Sequence, residues 1–179
     1  MNLISQNLCL RKSTFGDCTV FAEWEKDPKV TEFFTMEADR DYEQVVLEYV
    51  KRLSDPTQVQ FTICQKEDDI PIGRVHISRL DDHYHSFDIT RIYIGRTDLR
   101  GKGLGEEALR LVLFYGFEER NCERVTLDHF TGNKIAAALY LKVGFQYEGV
   151  MRHAGRKNGE YLDLHLMSML RNEYFDRKK

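Results

Sequence analysis

The 179-residue chain has little of what breaks or staples a fold: three prolines, four cysteines and one tryptophan. Pro28, Pro56 and Pro71 lie far apart, so no proline-rich linker divides the chain. Cys9, Cys18, Cys64 and Cys122 contain no C-x-x-C spacing, which argues against a zinc ribbon, a dithiol redox motif or a disulfide framework. They read as reduced, buried thiols. No apolar run approaches ~18 residues, so no membrane-spanning helix is expected. The start, Met1-Asn2-Leu3-Ile4-Ser5-Gln6, has neither a basic n-region nor an apolar h-region, and a cytoplasmic protein is expected. Charge of one sign is missing too. With 26 Lys+Arg against 29 Asp+Glu and a net charge of −3, there is no broad basic field. Neither nucleic acid nor a membrane is expected as a partner.

What is present is a globular composition. Hydrophobic residues at 42% and charged residues at 31% exclude a disordered or collagenous chain. A chain of this length reads as one domain, 1–179, able to bury roughly 70% of its unfolded surface.

Hydrophobic periodicity orders the elements. Leu8 and Leu10 alternate as a first strand. Val20, Phe21 and Trp24 recur at helical spacing over 17–26, before Pro28 stops or restarts the helix. A second helix is expected over 41–53, with Val45, Val46, Tyr49, Val50 and Leu53 on one side. The period then changes. Val59-Gln60-Phe61-Thr62-Ile63, then Ile70 to Ile77, then Ile89 to Ile94 read as strands joined by short polar turns, which favours antiparallel pairing. A long amphipathic helix follows over 103–119, with Leu104, Ala108, Leu111, Val112 and Tyr115 opposite Glu107, Arg110 and Glu118. Val125-Thr126-Leu127 is the next strand and 133–143 the next helix, closed by Gly144. Two last strands, 145–152 and 160–169, flank the hairpin signal Lys157-Asn158-Gly159. The order β, α, α, β, β, β, α, β, α, β, β is a mixed α/β domain, with a parallel crossover within 89–130.

The stretch Leu99-Arg100-Gly101-Lys102-Gly103-Leu104-Gly105-Glu106-Glu107 follows a strand and opens a helix. The unpaired amides and partial positive charge of a first helical turn suit a phosphate, and glycines let it approach the backbone. Arg100 and Lys102 add cationic donors. The plainer alternative is a glycine turn that merely joins strand to helix. A P-loop is excluded because Gly103, not Ser or Thr, follows Lys102. A dinucleotide fingerprint fails because Glu106 stands where the third glycine belongs.

Arg100-x-x-Gly103-x-Gly105 matches a different pattern, [Q/R]-x-x-G-x-[G/A]. With Ile92-Tyr93-Ile94-Gly95, Asn133, Leu139-Tyr140-Leu141-Lys142-Val143-Gly144-Phe145 and Glu148-Gly149, it resembles the GNAT superfamily of acetyl-CoA-dependent N-acetyltransferases along nearly the whole chain. Arg156-Lys157-Asn158-Gly159-Glu160-Tyr161 looks like the branch of ribosomal-protein N-terminal and spermidine acetyltransferases. The resemblance implies a mostly antiparallel twisted sheet with one splayed parallel strand pair, flanked by helices. It implies an enzyme that moves acetyl from acetyl-CoA to a primary amine: a protein N-terminus, a polyamine or a small-molecule amine. Ile92, Tyr93 and Ile94 would then offer backbone groups to the pantetheine arm, and an N–H near Ile94 would polarise the thioester carbonyl. Arg100, Gly101, Lys102, Gly103, Leu104 and Gly105 would hold the pyrophosphate. Tyr140 matches the family's general acid, and Asn133, seven residues earlier, would face the same cleft as a helix cap and polar contact. The family often forms dimers, so a homodimer is possible.

The base stays open among Asp88, Asp128 and His129. His83 and His85, with His76 nearby, supply no convincing ligand set, and no metal is expected. Glu37-Ala38-Asp39-Arg40-Asp41 reads as a solvated loop and helix start, or as an attractor for a cationic amine. A non-catalytic acyl-CoA-binding sensor on the same scaffold is the alternative function.

Overall fold

The structure is a computed structural model that describes residues 2–35 and 40–178. The elements run β1 (Asn2–Ile4), β2 (Leu8–Lys12), α1 (Cys18–Glu25), α2 (Pro28–Thr31), α3 (Tyr42–Leu53), β3 (Val59–Gln65), β4 (Pro71–Asp81) and β5 (Ser86–Ile94). They continue α4 (Leu104–Phe114), β6 (Arg124–Phe130), α5 (Lys134–Val143), β7 (Gln146–Lys157), β8 (Glu160–Leu170) and α6 (Arg171–Asp176). The strands form one sheet in the order β1-β2-β3-β4-β5-β6-β8-β7, with β5–β6 parallel and every other neighbouring pair antiparallel. This is the mixed α/β class, with one parallel pair in a mostly antiparallel sheet, that the resemblance implies.

Three elements go beyond the sequence reading: β1, α2 and α6. Strand β1 has only three residues, too few for a period to register. Helix α2 is one turn, opened by Pro28 at its first position and capped by the Asp27 side chain on Lys29 N–H at 2.9 Å. The helix expected over 103–119 ends its regular part at Phe114 and closes in a wide turn over 115–119, where Gly116 lets the chain press against Phe87. The hairpin expected at Lys157-Asn158-Gly159 is a two-residue turn. Asn158 and Gly159 have φ of 51° and 85°, and Lys157 pairs with Glu160. Lys157 Nζ reaches back to the carbonyls of Thr31 and Glu32, pinning the hairpin tip to the end of α2.

The two faces of the sheet are built differently. On one, Leu8, Leu10, Ile63, Ile72, Val75, Ile77 and Phe87 pack under Ala108, Leu109 and Val112 of α4, with Tyr140 and Val143 of α5 extending the same core. On the other, α1 and α3 make a small apolar cluster of Cys18, Phe21, Ala22, Val45 and Tyr49. Val50 and Leu53, expected on that apolar side of α3, are solvent-exposed instead. Charge fills the remaining space. Glu25, wholly buried, takes Arg40, Arg74 and Arg91, while Glu48 takes Arg40, Arg52, Arg74 and Arg91. Arg40 therefore belongs to a buried ion cluster, and Asp41 caps α3 through Gln44 N–H at 2.8 Å. Glu37, Ala38 and Asp39, the rest of the acidic segment, lie outside the described residues.

Candidate active site

The sheet opens between β5 and β6. Their ladder runs from Ser86↔Arg124 to Ile89↔Leu127 and stops. Strand β5 stays paired to β4 as far as Ile94↔Gly73, and β6 stays paired to β8 as far as Phe130↔Leu164. Residues 90–94 and 128–130 therefore have no ladder between them; within the chain Ile94 O goes to Arg100 and Phe130 O to Asn133 N–H, and the sheet offers the remaining facing groups no strand partner. A bulge sets the divergence. Val75↔Ile92, His76↔Arg91 and Ile77↔Ile89 leave Thr90 unpaired as an extra residue. Such an insertion bends a strand and reverses its side-chain parity. Phe87, Ile89, Ile92 and Ile94 accordingly all join the apolar side. Arg91 and Tyr93 turn to the charged side. Sequence reasoning missed this bulge. Its signal was Thr90-Arg91, two consecutive polar residues inside an alternating strand.

The side chains of Ile92 and Ile94 pack into the core, so what they offer the gap is backbone. The Tyr93 ring lies edge-on to Trp24 and Phe34, and its hydroxyl donates to Glu25 Oε1 at 3.1 Å. Burial first, then the Glu25 charge, pushes that phenol well above its ordinary range. Gly95 has no room for a side chain, because a Cβ would stand 2.1 Å from the Trp24 ring.

Beyond Ile94 the chain turns through Thr97–Leu99 to the glycine loop. Gly101 and Gly103 have φ of 75° and 81°, the left-handed region that glycine enters freely. A Cβ at Gly101, Gly103 or Gly105 would meet nothing within 4 Å, so open space lies against this stretch of backbone. Gly103 is the N-cap of α4, with no side-chain cap. The contrast with α3 and α5 is plain, since those helices are capped by Asp41 and by Asn133, whose Oδ1 accepts from Ala136 N–H at 3.1 Å. The first-turn amides at Leu104 and Gly105 carry the partial positive charge of a helix start, and the two carboxylates of that turn are engaged elsewhere, Glu106 by Arg110 and Lys142 and Glu107 by Ser5 and Asn7. Lys102 is exposed beside them, and Leu104 is half-buried against the core. An uncapped start, positive-φ glycines and unfilled space fit a pyrophosphate. Arg100 sits differently from the expectation that it faces the phosphate. Its Nε and Nη2 donate to Ile94 O at 3.1 and 3.0 Å, and Nη1 donates to Lys29 O at 2.9 Å. It clamps the end of β5 to α2.

Tyr140 lies two turns into α5 from Asn133. It is 8% exposed, against Phe145 and His129 with ring centroids 6.0 and 5.8 Å away. Its hydroxyl makes no hydrogen bond among the described residues. Burial, then the charge of Asp128, pushes the phenol up to about 12, so it keeps its proton at neutral pH. The three candidate bases gather where the strands part. Asp88 is buried and accepts from Thr90 Oγ1 at 3.1 Å and Thr126 Oγ1 at 2.9 Å. Asp128 is solvent-accessible, yet desolvation by surrounding protein and the Asp88 charge push its carboxyl up to about 6, against the pull of Arg79. His129 is buried, with Nδ1 2.9 Å from Phe130 O, and desolvation holds its pKa below the ordinary histidine value.

Residues 7–146 match the family model of the acetyltransferase (GNAT) domain. The chain belongs to the GNAT acetyltransferase family. It is an acyltransferase, and the resemblance read from Arg100-x-x-Gly103-x-Gly105 and its companion motifs stands. An N-acetyltransferase of Bacillus licheniformis named p20 is 29% identical over 96% of this chain and 97% of its own. The spermidine N(1)-acetyltransferase of Escherichia coli K12 is 29% identical over 73% of this chain and 68% of its own. Among solved structures, the Vibrio cholerae spermidine N-acetyltransferase in complex with CoA and spermine shares the fold, with TM-score 0.84, 23% identity, and coverage of 94% and 98% of the two chains.

The remaining motifs fall outside this GNAT cleft. His83 and His85 lie in the turn between β4 and β5. His76 is buried, with Nδ1 2.8 Å from Arg52 Nη1 and Nε2 2.7 Å from Gln58 Oε1. Among the described residues, no group of three or more His, Cys, Asp or Glu could hold a metal ion. All four cysteines are free and buried. No described helix is long and apolar enough to cross a membrane.

Proposed function

We propose that this GNAT protein transfers an acetyl group from acetyl-CoA to a primary amine, by direct attack of the amine on the thioester. One observation carries the reading. The β5–β6 ladder ends at Ile89↔Leu127 while both strands keep their outer partners, and the uncapped start of α4 follows the end of β5. Acetyl-CoA, when bound, supplies an acyl donor with a sulfur leaving group. Amides of Gly101, Lys102, Gly103, Leu104 and Gly105 hold its pyrophosphate, helped by the Lys102 charge. Backbone groups of Ile92, Tyr93 and Ile94 receive the amide-bearing arm as a strand edge receives another strand. Arg100 serves by fixing Ile94 and the loop. Asn133 holds the start of α5, and Tyr140 gives its proton to the departing sulfur. The burial that weakens the phenol as an acid also makes the sulfur a better base, because both lose hydration of their charged forms.

Two relatives bear names or titles that include spermidine, which makes a polyamine the first acceptor to try. The carboxylates Asp88 and Asp128 suit a cationic amine. The test is CoA release from acetyl-CoA with spermidine, a short peptide with a free N-terminus and propylamine, alongside thermal shifts with CoA, ATP and NAD. Stabilisation by CoA alone, with CoA release on adding an amine, is the expected result. Stabilisation by CoA with no release from any amine would leave an acyl-CoA-binding sensor.

A further inference from the structure

Of the three candidate bases, two are already occupied. His129 holds Nδ1 against Phe130 O and packs its ring against Tyr140 and His165. Asp88 has one carboxyl oxygen engaged by Thr90 and the other by Thr126. Asp128 differs from both. It follows Leu127, the last β6 residue paired to β5, so it stands where the gap begins. Its side chain keeps solvent access, and its carboxylate has no hydrogen-bond partner among the described residues. Tyr140, nine-tenths buried with an unpartnered hydroxyl, lies close enough to feel the Asp128 charge. An unused acceptor and an unused donor thus stand at the same end of the gap.

We infer that Asp128 is the general base of the acetyl transfer, and that Asp88, fixed by its two threonines, is a positioning residue that acts through Asp128. The inference rests on the acetyltransferase reading above. As the N–C bond forms, a proton leaves the amine nitrogen for Asp128. As the C–S bond breaks, the Tyr140 proton goes to sulfur. The proton on Asp128 then returns to Tyr140 through water, so a neutral amine and the thioester become an amide and a thiol with no net proton change.

The charged neighbours of Asp128 set its pH range. Asp88 of β5 raises its carboxyl, Arg79 of β4 opposes, Tyr140 of α5 adds a neutral phenol, and β8 places uncharged Leu166 directly opposite. A carboxyl near 6 is mostly ionised at neutral pH yet basic enough to take a proton. Turnover should therefore rise with pH through about 6. The stability sign is the reverse. The folded value lies above the unfolded one, so what this group contributes is present below roughly pH 4 and is lost as pH rises through about 6.

The test uses the full chain with acetyl-CoA and whichever of spermidine, propylamine or the free-amine peptide it acetylates. Asp128→Asn should lower kcat by about 10²–10³-fold, leave the CoA dissociation constant within about twofold, and be partly rescued by Asp128→Glu. Asp88→Asn should move the acid limb of kcat about one pH unit lower. Asp128→Asn should also raise Tm at pH 8 but not at pH 4. A kcat for Asp128→Asn within threefold of wild type, on the order of half a kcal/mol, would overturn the base assignment. An acid limb unmoved by Asp88→Asn would overturn the coupling. If the wild-type chain releases CoA with none of the acceptors, the acetyltransferase reading itself fails and the base role goes with it. The Tm contrast then still decides whether folding raises the Asp128 carboxyl.

Discussion

The two faces of the sheet solve the same burial problem with different materials. The α4 face is filled with aliphatic and aromatic side chains that need only shape and volume. The α1/α3 face sets one buried and one partly buried glutamate among four arginines, and Glu25 depends on partners from distant parts of the chain. Glu25 meets Arg74 across 49 residues and Arg91 across 66. Apolar packing tolerates error, whereas a buried ion cluster fixes geometry and fails sharply when one member is lost. The open edge of β5 lies at the seam between them. At Thr90 the strand changes parity, so Ile92 and Ile94 anchor it in the apolar face while Arg91 and Tyr93 anchor it in the charged one.

That contrast can be tested with substitutions of graded effect. The largest loss is expected for Glu25→Ala, which leaves the buried Arg74 and Arg91 with Glu48 as their one remaining carboxylate contact among the described residues. Denaturant unfolding should show a loss of about 3–5 kcal/mol. Leu109→Ala, wholly buried on the apolar face, should cost about 2–4 kcal/mol by the same measurement. A Glu25→Ala loss smaller than that of Leu109→Ala would show that the charged face is the more forgiving one. Tyr140→Phe removes a single hydroxyl, and should lower kcat by about 10²-fold with CoA affinity nearly unchanged. Unaltered turnover would remove Tyr140 from the proton-donor role. Gly103→Ala forces a Cβ into the left-handed region at φ 81°, and should cost about 1–2 kcal/mol of stability while weakening CoA binding.

Acid should separate the faces as well. His76 is held near 3, foremost by desolvation and then by Arg52, Arg91 and Arg74. Its folded value lies below its unfolded one, so its contribution is complete above about pH 6.5 and is lost as pH falls toward about 3. Glu48 is held down to about 2, its surrounding arginines outweighing desolvation, and its contribution fades below about pH 4.5. Tm should fall from near pH 6.5 downward, and His76→Gln should flatten the upper part of that fall.

The apolar face was legible in the sequence because its residues recur at periods of two and 3.6, and the glycine loop was legible through its spacing, while Tyr140 was singled out only by the resemblance. The charged face was not. Glu25, Arg40, Arg74 and Arg91 look like solvated surface one at a time, and only their convergence in space shows that they are buried. Arg100 shows the same limit from the other side, because the spacing identified the residue while its carbonyl partners came from β5 and α2. The Thr90 bulge broke the alternation that would have found it.

A crystal structure of the chain with bound coenzyme A is the most direct measurement of the central claim. The expected result is a pyrophosphate on the amides of residues 101–105, the pantetheine arm between β5 and β6 beyond Ile89 and Leu127, and the sulfur within hydrogen-bond reach of the Tyr140 hydroxyl. Coenzyme A bound elsewhere, or a sulfur out of reach of Tyr140, would contradict it.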